Sequence, residues 1–363
     1  MTSSIKLDAP SLGVAADHLA RSAIVNGGLG LVMAPGFGSL PLTANQKRIR
    51  IPIRTVPYLG RTARGRPYQL LLRDMMFDGL AARMLNSDLQ LASLSGMCLW
   101  SMRVAKRAGQ RTVLYCPTSH VEHQLTVISE ARVLAGINEK PSELNQLSMC
   151  RMLQEYLLAD TLVVGAHAAK ATFVRRGVRP DKICVIPHGT DLNRFYPRQR
   201  RPGGPFSILF VGQIGIRKGV HILLTACRLL DPRNYRITLV GGMEPEARSI
   251  LRAFPDIDLG TISFTQDIPA QMANCDVVVL PSVEDGFGNV VLEGMASGRP
   301  VIVSDACGAS EIIEPGVDGL VFPSGDAGKL AECLTVLMDN PGLRLDLGLS
   351  LIHISEPTRQ AEI

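Results

Sequence analysis

Apolar, β-branched runs alternate with helical patterns along most of the 363 residues, the signature of βαβ units that feed a parallel sheet. In the first half this pattern predicts strands near 4–7, 90–94, 112–116, 161–164 and 182–186, with helices near 15–23, 97–108 and 142–159. The second half alternates more cleanly. It predicts strands over 207–211, 236–240, 262–264, 276–280, 301–304 and 320–322, with helices over 221–230, 244–253 and 290–296. A last helical pattern runs over 330–348, broken by a turn at Asn340 and Pro341. The outline is a doubly wound sheet, and the fold class is α/β.

Residues 197–205 concentrate proline, glycine and arginine without apolar periodicity, so they read as a linker. The expected organisation is an N-terminal domain over 1–196 and a C-terminal domain over 206–348. Residues 349–363 (LSLIHISEPTRQAEI) break the pattern and resemble translated sequencing-adapter DNA, so a non-native tail is expected there.

Composition narrows the class. The chain is 46% hydrophobic and 20% charged, the profile of a globular rather than a disordered protein. No apolar run approaches the ~20 residues that span a bilayer, and the start MTSSIKLDAPS lacks a signal-peptide layout. A cytoplasmic protein is expected, with peripheral attachment at the inner face of a membrane. The eight cysteines stand singly, without metal-ligand spacing, and read as reduced and mostly buried thiols. Net charge is +5, but it is uneven: between Lys47 and Arg111 thirteen Lys and Arg face only Asp74, Asp78 and Asp88. Such a field draws an anionic membrane surface or phosphorylated acceptors. An ordinary solvated Arg-rich surface is the plain alternative. No DNA- or RNA-binding motif accompanies it, so nucleic acid is not an expected partner.

Two constellations carry candidate chemistry. The first is FSILFVGQIGIRKG (206–219), a buried strand ending in Gly212 and a loop that enters a helix. Strand ends and helix N-termini bind phosphate in open α/β sheets. Arg217 and Lys218 would neutralise a diphosphate there, unless they are simply an exposed basic pair. The second is PSVEDGFGNVVLE (281–293), directly after another strand. Gly286 and Gly288 let the backbone approach a ligand, Asn289 is expected to cap the next helix, and Gly298 with Pro300 ends it. Asp285 and Glu293 would face the strand-end crevice, where a carboxylate accepts hydrogen bonds from a sugar diol. Taken singly, each is as easily a helix-dipole or surface residue. The glycine-rich 26–38 segment lacks GxGxxG spacing, so no dinucleotide cofactor is expected.

In order and spacing, the pieces ADTLVVGAHAAKATFVRRGVRPDKICVIPHGTDLNRF, VGQIGIRKGV, DVVVLPSVEDGFGNVVLEGMASGRPVIVSDACGASEII and GVDGLVFPSGD resemble the retaining glycosyltransferases of family four. The resemblance is strongest over 163–348. It implies the GT-B fold, two facing Rossmann-like domains with mainly parallel sheets. It also implies a nucleoside-diphosphate sugar donor and a glycan or lipid-linked acceptor in surface polysaccharide assembly, without a metal. By resemblance Glu293 holds the nucleotide ribose, Asp285 and the backbone of Phe287, Gly288 and Asn289 hold the donor sugar, and Arg217 with Lys218 and Gly212 take the diphosphate. The family's first acid is usually glutamate where this chain has Asp285, and its usual glycine-arginine pair is here Gly212 and Gln213. The N-terminal half matches more loosely, at Ser95 and Gly96 and around YCPTSHVEHQ (115–124). There the resemblance gives His120 a place near the donor sugar, facing the interdomain cleft, and Gly13 a place on the acceptor side.

With no second carboxylate placed for double displacement, the expected mechanism is front-face transfer with retention, the leaving phosphate accepting the acceptor's proton. A sugar-nucleotide epimerase of the same fold and a catalytically inactive nucleotide-sugar-binding protein stand as alternatives.

Overall fold

The computed structural model describes residues 31–34, 47–50, 66–85, 91–137, 146–198, 203–263 and 267–348. The expected strand at 4–7, the helix at 15–23, Gly13 and the tail at 349–363 lie outside these residues. Strands β1 (Leu31–Ala34) and β2 (Lys47–Arg50) pair in parallel as a two-stranded sheet. The described residues divide into two compact units. One draws on 1–122, 140–164 and 170–186, the other on 123–139, 165–169 and 187–363.

The first unit holds a four-stranded parallel sheet in the order β3 (Leu91–Leu94), β4 (Thr112–Cys116), β5 (Thr161–Val164), β6 (Ile183–Val185). Its helices are α1 (Arg66–Met84), α2 (Leu99–Arg107) and α4 (Gln146–Leu158). Helix α3 (Val121–Leu134) begins in this unit, but its Ile128 and Ala131 belong to the core of the other. Helix α5 (His167–Arg175) likewise contributes residues to both.

The second unit is a six-stranded, all-parallel sheet. Its strands are β7 (Phe206–Val211), β8 (Tyr235–Val240), β9 (Leu259–Ser263), β10 (Val277–Leu280), β11 (Val301–Ser304) and β12 (Leu320–Phe322). They lie in the order β9, β8, β7, β10, β11, β12, which is the 3-2-1-4-5-6 order of a dinucleotide-fold sheet. Every residue of β10 and β11 is buried, as expected of central parallel strands covered on both faces. Helices α6 (Val220–Cys227), α7 (Ala247–Arg252), α8 (Ile268–Ala273), α9 (Asn289–Ala296) and α10 (Ala327–Asp339) complete the unit. Ile208, Phe210, Leu223, Leu224, Val279 and Leu334 are among the residues that close its core. The strand order reverses between β7 and β10, so the crevice that such sheets use for ligands opens beyond those two strand ends.

All eight cysteines are free, and five of them (Cys98, Cys116, Cys227, Cys275 and Cys307) are buried. Cys150 and Cys184 are exposed.

Candidate functional site

The loops that follow β7 and β10 meet at the reversal point, and glycine makes the meeting possible. Gly219 has φ 72°, and a Cβ there would overlap the Pro281 carbonyl. Only a residue without a side chain allows this approach. The two loops are then tied backbone to backbone, Val283 N–H donating to the Arg217 carbonyl at 2.9 Å.

This contact sets Arg217 and Lys218 against the acidic pair of the second loop. The Lys218 ammonium forms an ion pair with Asp285. Arg217 Nη1 donates to the Glu284 carbonyl at 3.3 Å and reaches Glu284 Oε2 at 3.4 Å. Burial pushes the Asp285 carboxyl up, but Lys218 and Arg217 more than offset it, and the net shift is downward from 3.8. Asp285 is therefore ionised at neutral pH.

Glu293 sits one turn into α9, half-buried. Burial pushes its carboxyl up to about 7, opposed only in part by Arg194. Among the described residues no donor hydrogen-bonds to that carboxylate. It is an acceptor kept ready for hydroxyls.

The start of α9 differs from expectation. Gly288, at φ 90°, holds the capping position, because a Cβ there would crowd Cys307 Sγ and Leu280 Cδ2. Asn289 is the first helical residue instead, and its Oδ1 contacts His188 Nδ1. Phe287 is buried and stacks on His188 with ring centroids 4.5 Å apart. Its carbonyl is occupied as well, accepting from Ala309 N–H at 2.6 Å and Cys307 Sγ at 2.9 Å.

Sequence reasoning passed over four residues that shape this site. His188 packs on Phe287 and Asn289 from the 187–195 loop. Gln124 Nε2, on α3, donates to Glu284 Oε2 at 2.9 Å. Arg132, also on α3, pairs with buried Glu246 at 2.9 Å, and Glu246 Oε1 accepts from Ile216 N–H at 3.4 Å in the phosphate-side loop. All are long-range contacts of polar residues, and the pairing itself has no local signal, although His188 and Gln124 lie within segments that carry the family resemblance.

In the first unit His120 is 3% exposed. Its ring lies 5.1 Å from both Tyr156 and Phe173, its Nδ1 accepts from Glu122 N–H at 3.3 Å, and its own N–H donates to Thr172 Oγ1 at 2.9 Å. The Ser95 and Gly96 turn is held by Glu155, which accepts from Gly96 N–H and, at 2.9 Å, from Cys98 N–H. Gly13 is outside the described residues.

With this geometry in hand, the comparisons with known proteins agree on the class. Residues 205–340 match the family model described as glycosyl transferases group 1. The chain is 28% identical over 256 residues to a D-inositol 3-phosphate glycosyltransferase of Pseudarthrobacter chlorophenolicus, covering 64% of this chain and 59% of that protein. It is 30% identical over 172 residues to a putative colanic acid biosynthesis glycosyltransferase, WcaL, of Salmonella typhimurium, covering 44% and 42%. The matched span is thus about three fifths or less of the length of these relatives. Among solved structures, sucrose-phosphate synthase of Thermosynechococcus elongatus superposes with a TM-score of 0.69 at 20% identity, covering 99% and 98% of the two chains. HepE of Anabaena in complex with UDP gives 0.65 at 17%, covering 97% and 93%. These likenesses establish the GT-B fold expected from the sequence. Residues 205–340 are thus similar to the glycosyl transferases group 1 family.

Proposed function

We propose that this protein is a retaining glycosyltransferase that moves a sugar from a nucleoside-diphosphate donor to a glycan or lipid-linked acceptor in surface polysaccharide assembly. The observation that carries the reading is the convergence of Arg217 and Lys218 with Asp285 at the strand reversal point, with the unmet Glu293 acceptor on the adjoining helix. Cations beside a helix N-terminus suit a diphosphate, and a carboxylate acceptor suits a ribose diol. The UDP bound by HepE, a protein of similar fold, supports the donor class.

In this reading Lys218 leaves Asp285 for the diphosphate when donor enters, and Asp285 turns to the sugar hydroxyls. Arg217, Lys218 and loop amides stabilise the charge that develops on the leaving group, without a metal. The acceptor hydroxyl attacks on the face the diphosphate leaves, and the departing phosphate oxygen takes its proton. His120 keeps the catalytic role that the family resemblance gives it.

Attachment to an anionic membrane is supported by α1. Leu72, Met76, Leu80 and Met84 recur every fourth residue and are 40–50% exposed, within the strongly basic stretch 47–111. An apolar stripe in a cationic setting suits a lipid interface. No helix among the described residues is long and apolar enough to cross a membrane.

Incubation with nucleotide sugars and a panel of glycan and lipid-linked acceptors, with product anomers read by NMR, tests the reaction. Transfer with retained anomeric configuration is expected. Inverted product, or conversion of the donor sugar to its epimer, would sink it.

A further inference from the structure

The two loops that would receive the diphosphate carry no net charge. Residues 212–219 contribute Arg217 and Lys218, and residues 281–288 contribute Glu284 and Asp285. The two acids differ in what they can do. Asp285 belongs to the motif that meets the donor sugar, and its partner Lys218 is free to exchange when ligand arrives. Glu284 is 2% exposed, against 20% for Arg217. Its Oε2 accepts from Gln124 at 2.9 Å and faces Arg217 Nη1 at 3.4 Å. Its backbone N–H also leans on the Arg217 carbonyl, at 3.4 Å. This carboxylate is buried away from solvent and held by Gln124 from α3.

We propose that Glu284 is a positioning residue that holds Arg217 in place and permanently offsets its charge, so that the site binds its nucleoside-diphosphate product weakly enough to release it. The inference rests on the donor reading above. The physical reason is Coulombic: a fixed, buried negative charge beside the phosphate-binding guanidinium opposes an incoming polyanion, and burial shields that opposition from salt. The penalty falls on the diphosphate leaving group, the most highly charged species the site must hold, and leaves an uncharged nucleoside untouched. Uniform tight binding of substrate and product alike would lower KM without speeding turnover, so a built-in offset favours release.

Two variants separate charge from shape. Glu284→Gln removes the charge and keeps an acceptor for Gln124, whereas Glu284→Asp keeps the charge and shortens the arm. Both are titrated calorimetrically, alongside the unaltered chain, with UDP, GDP, ADP and the matching nucleosides. The expected result is about tenfold tighter binding of the preferred diphosphate in Glu284→Gln, no such gain in Glu284→Asp, and unchanged nucleoside binding. Matching inhibition of transfer by the diphosphate should tighten by the same factor. Unchanged or weaker diphosphate binding in Glu284→Gln overturns the proposal, as does an equal gain for nucleoside. If the unaltered chain binds none of the three diphosphates, the donor reading itself fails and this inference falls with it.

Discussion

Glu155 in the first unit and Glu293 in the second are both carboxyls pushed by burial to about 7, yet they do opposite work. Glu155 is fully buried, and its two oxygens accept from Gly96 and Cys98 N–H. It closes the turn that leads into α2. The same helix start is held by Asp78, which accepts from Trp100 N–H at 2.7 Å and Ser101 N–H at 2.8 Å and pairs with Arg151 at 3.0 Å. These acids are spent on the fold. Glu293 has the same shift but no hydrogen-bond donor among the described residues, only the field of Arg194. A perturbed carboxyl marks a binding site when its acceptor capacity is unspent; the perturbation alone does not.

Asp78→Ala leaves Arg151 buried without its partner and uncaps α2, so a loss of about 3–5 kcal/mol in denaturant unfolding is expected; a loss below about 1 kcal/mol would deny Asp78 its structural role. On the site side, Gly219→Ala forces a side chain against the Pro281 carbonyl. It should cost about 2–3 kcal/mol and abolish nucleotide binding, and retention of full affinity would show that the loop contact does not build the site.

The two glutamates themselves are the sharper test. Glu155→Gln places an amide N–H₂ against a backbone N–H and should cost about 1–3 kcal/mol in stability, with nucleotide affinity unchanged. Glu293→Gln should do the reverse, weakening donor binding about tenfold while leaving the melting temperature equal or higher. Stability follows from the sign of the shift. Each carboxyl rises from 4.5 to about 7 on folding, so the native chain holds the extra proton and each group's contribution is lost as pH climbs through that interval. Donor binding runs the other way. An ionised Glu293 accepts from hydroxyls, so affinity should rise with pH through about 7, with a proton released on binding. Calorimetry in buffers of different ionisation enthalpy reads that proton, and its persistence in Glu293→Gln would assign it elsewhere. The smallest effect concerns α1: Met76→Glu with Leu80→Glu should reduce sedimentation with anionic vesicles several-fold and leave nucleotide binding intact, and undiminished sedimentation would remove α1 from the membrane reading.

Legibility followed burial. The central strands β7, β10 and β11 are almost wholly buried and read as largely apolar runs, so sequence placed them within a residue or so. The Arg217–Lys218 and Asp285–Glu293 constellation was visible because glycines and charges at a strand end have few other uses. Helices α1, α3, α5 and α8 were not foreseen. In α3 two polar residues, Gln124 and Arg132, point inward to satisfy Glu284 and Glu246, which blurs the apolar face that periodicity detects. The pairing of Arg217 with Glu284 and the stacking of His188 on Phe287 join segments from 67 to about 100 residues apart, and no local pattern announces them. The expectation that Asn289 caps α9 failed for a steric reason, since the left-handed turn at 288 admits only glycine beside Cys307.

We propose above that the strand reversal in the second unit is a nucleoside-diphosphate sugar site. An isothermal titration with UDP, GDP and ADP sugars, run on the unaltered chain and on Lys218→Ala, tests it most directly. Saturable one-to-one binding of at least one donor is expected, weakened about tenfold or more without Lys218. A folded chain that binds none of these donors, or binds one equally well without Lys218, would contradict it.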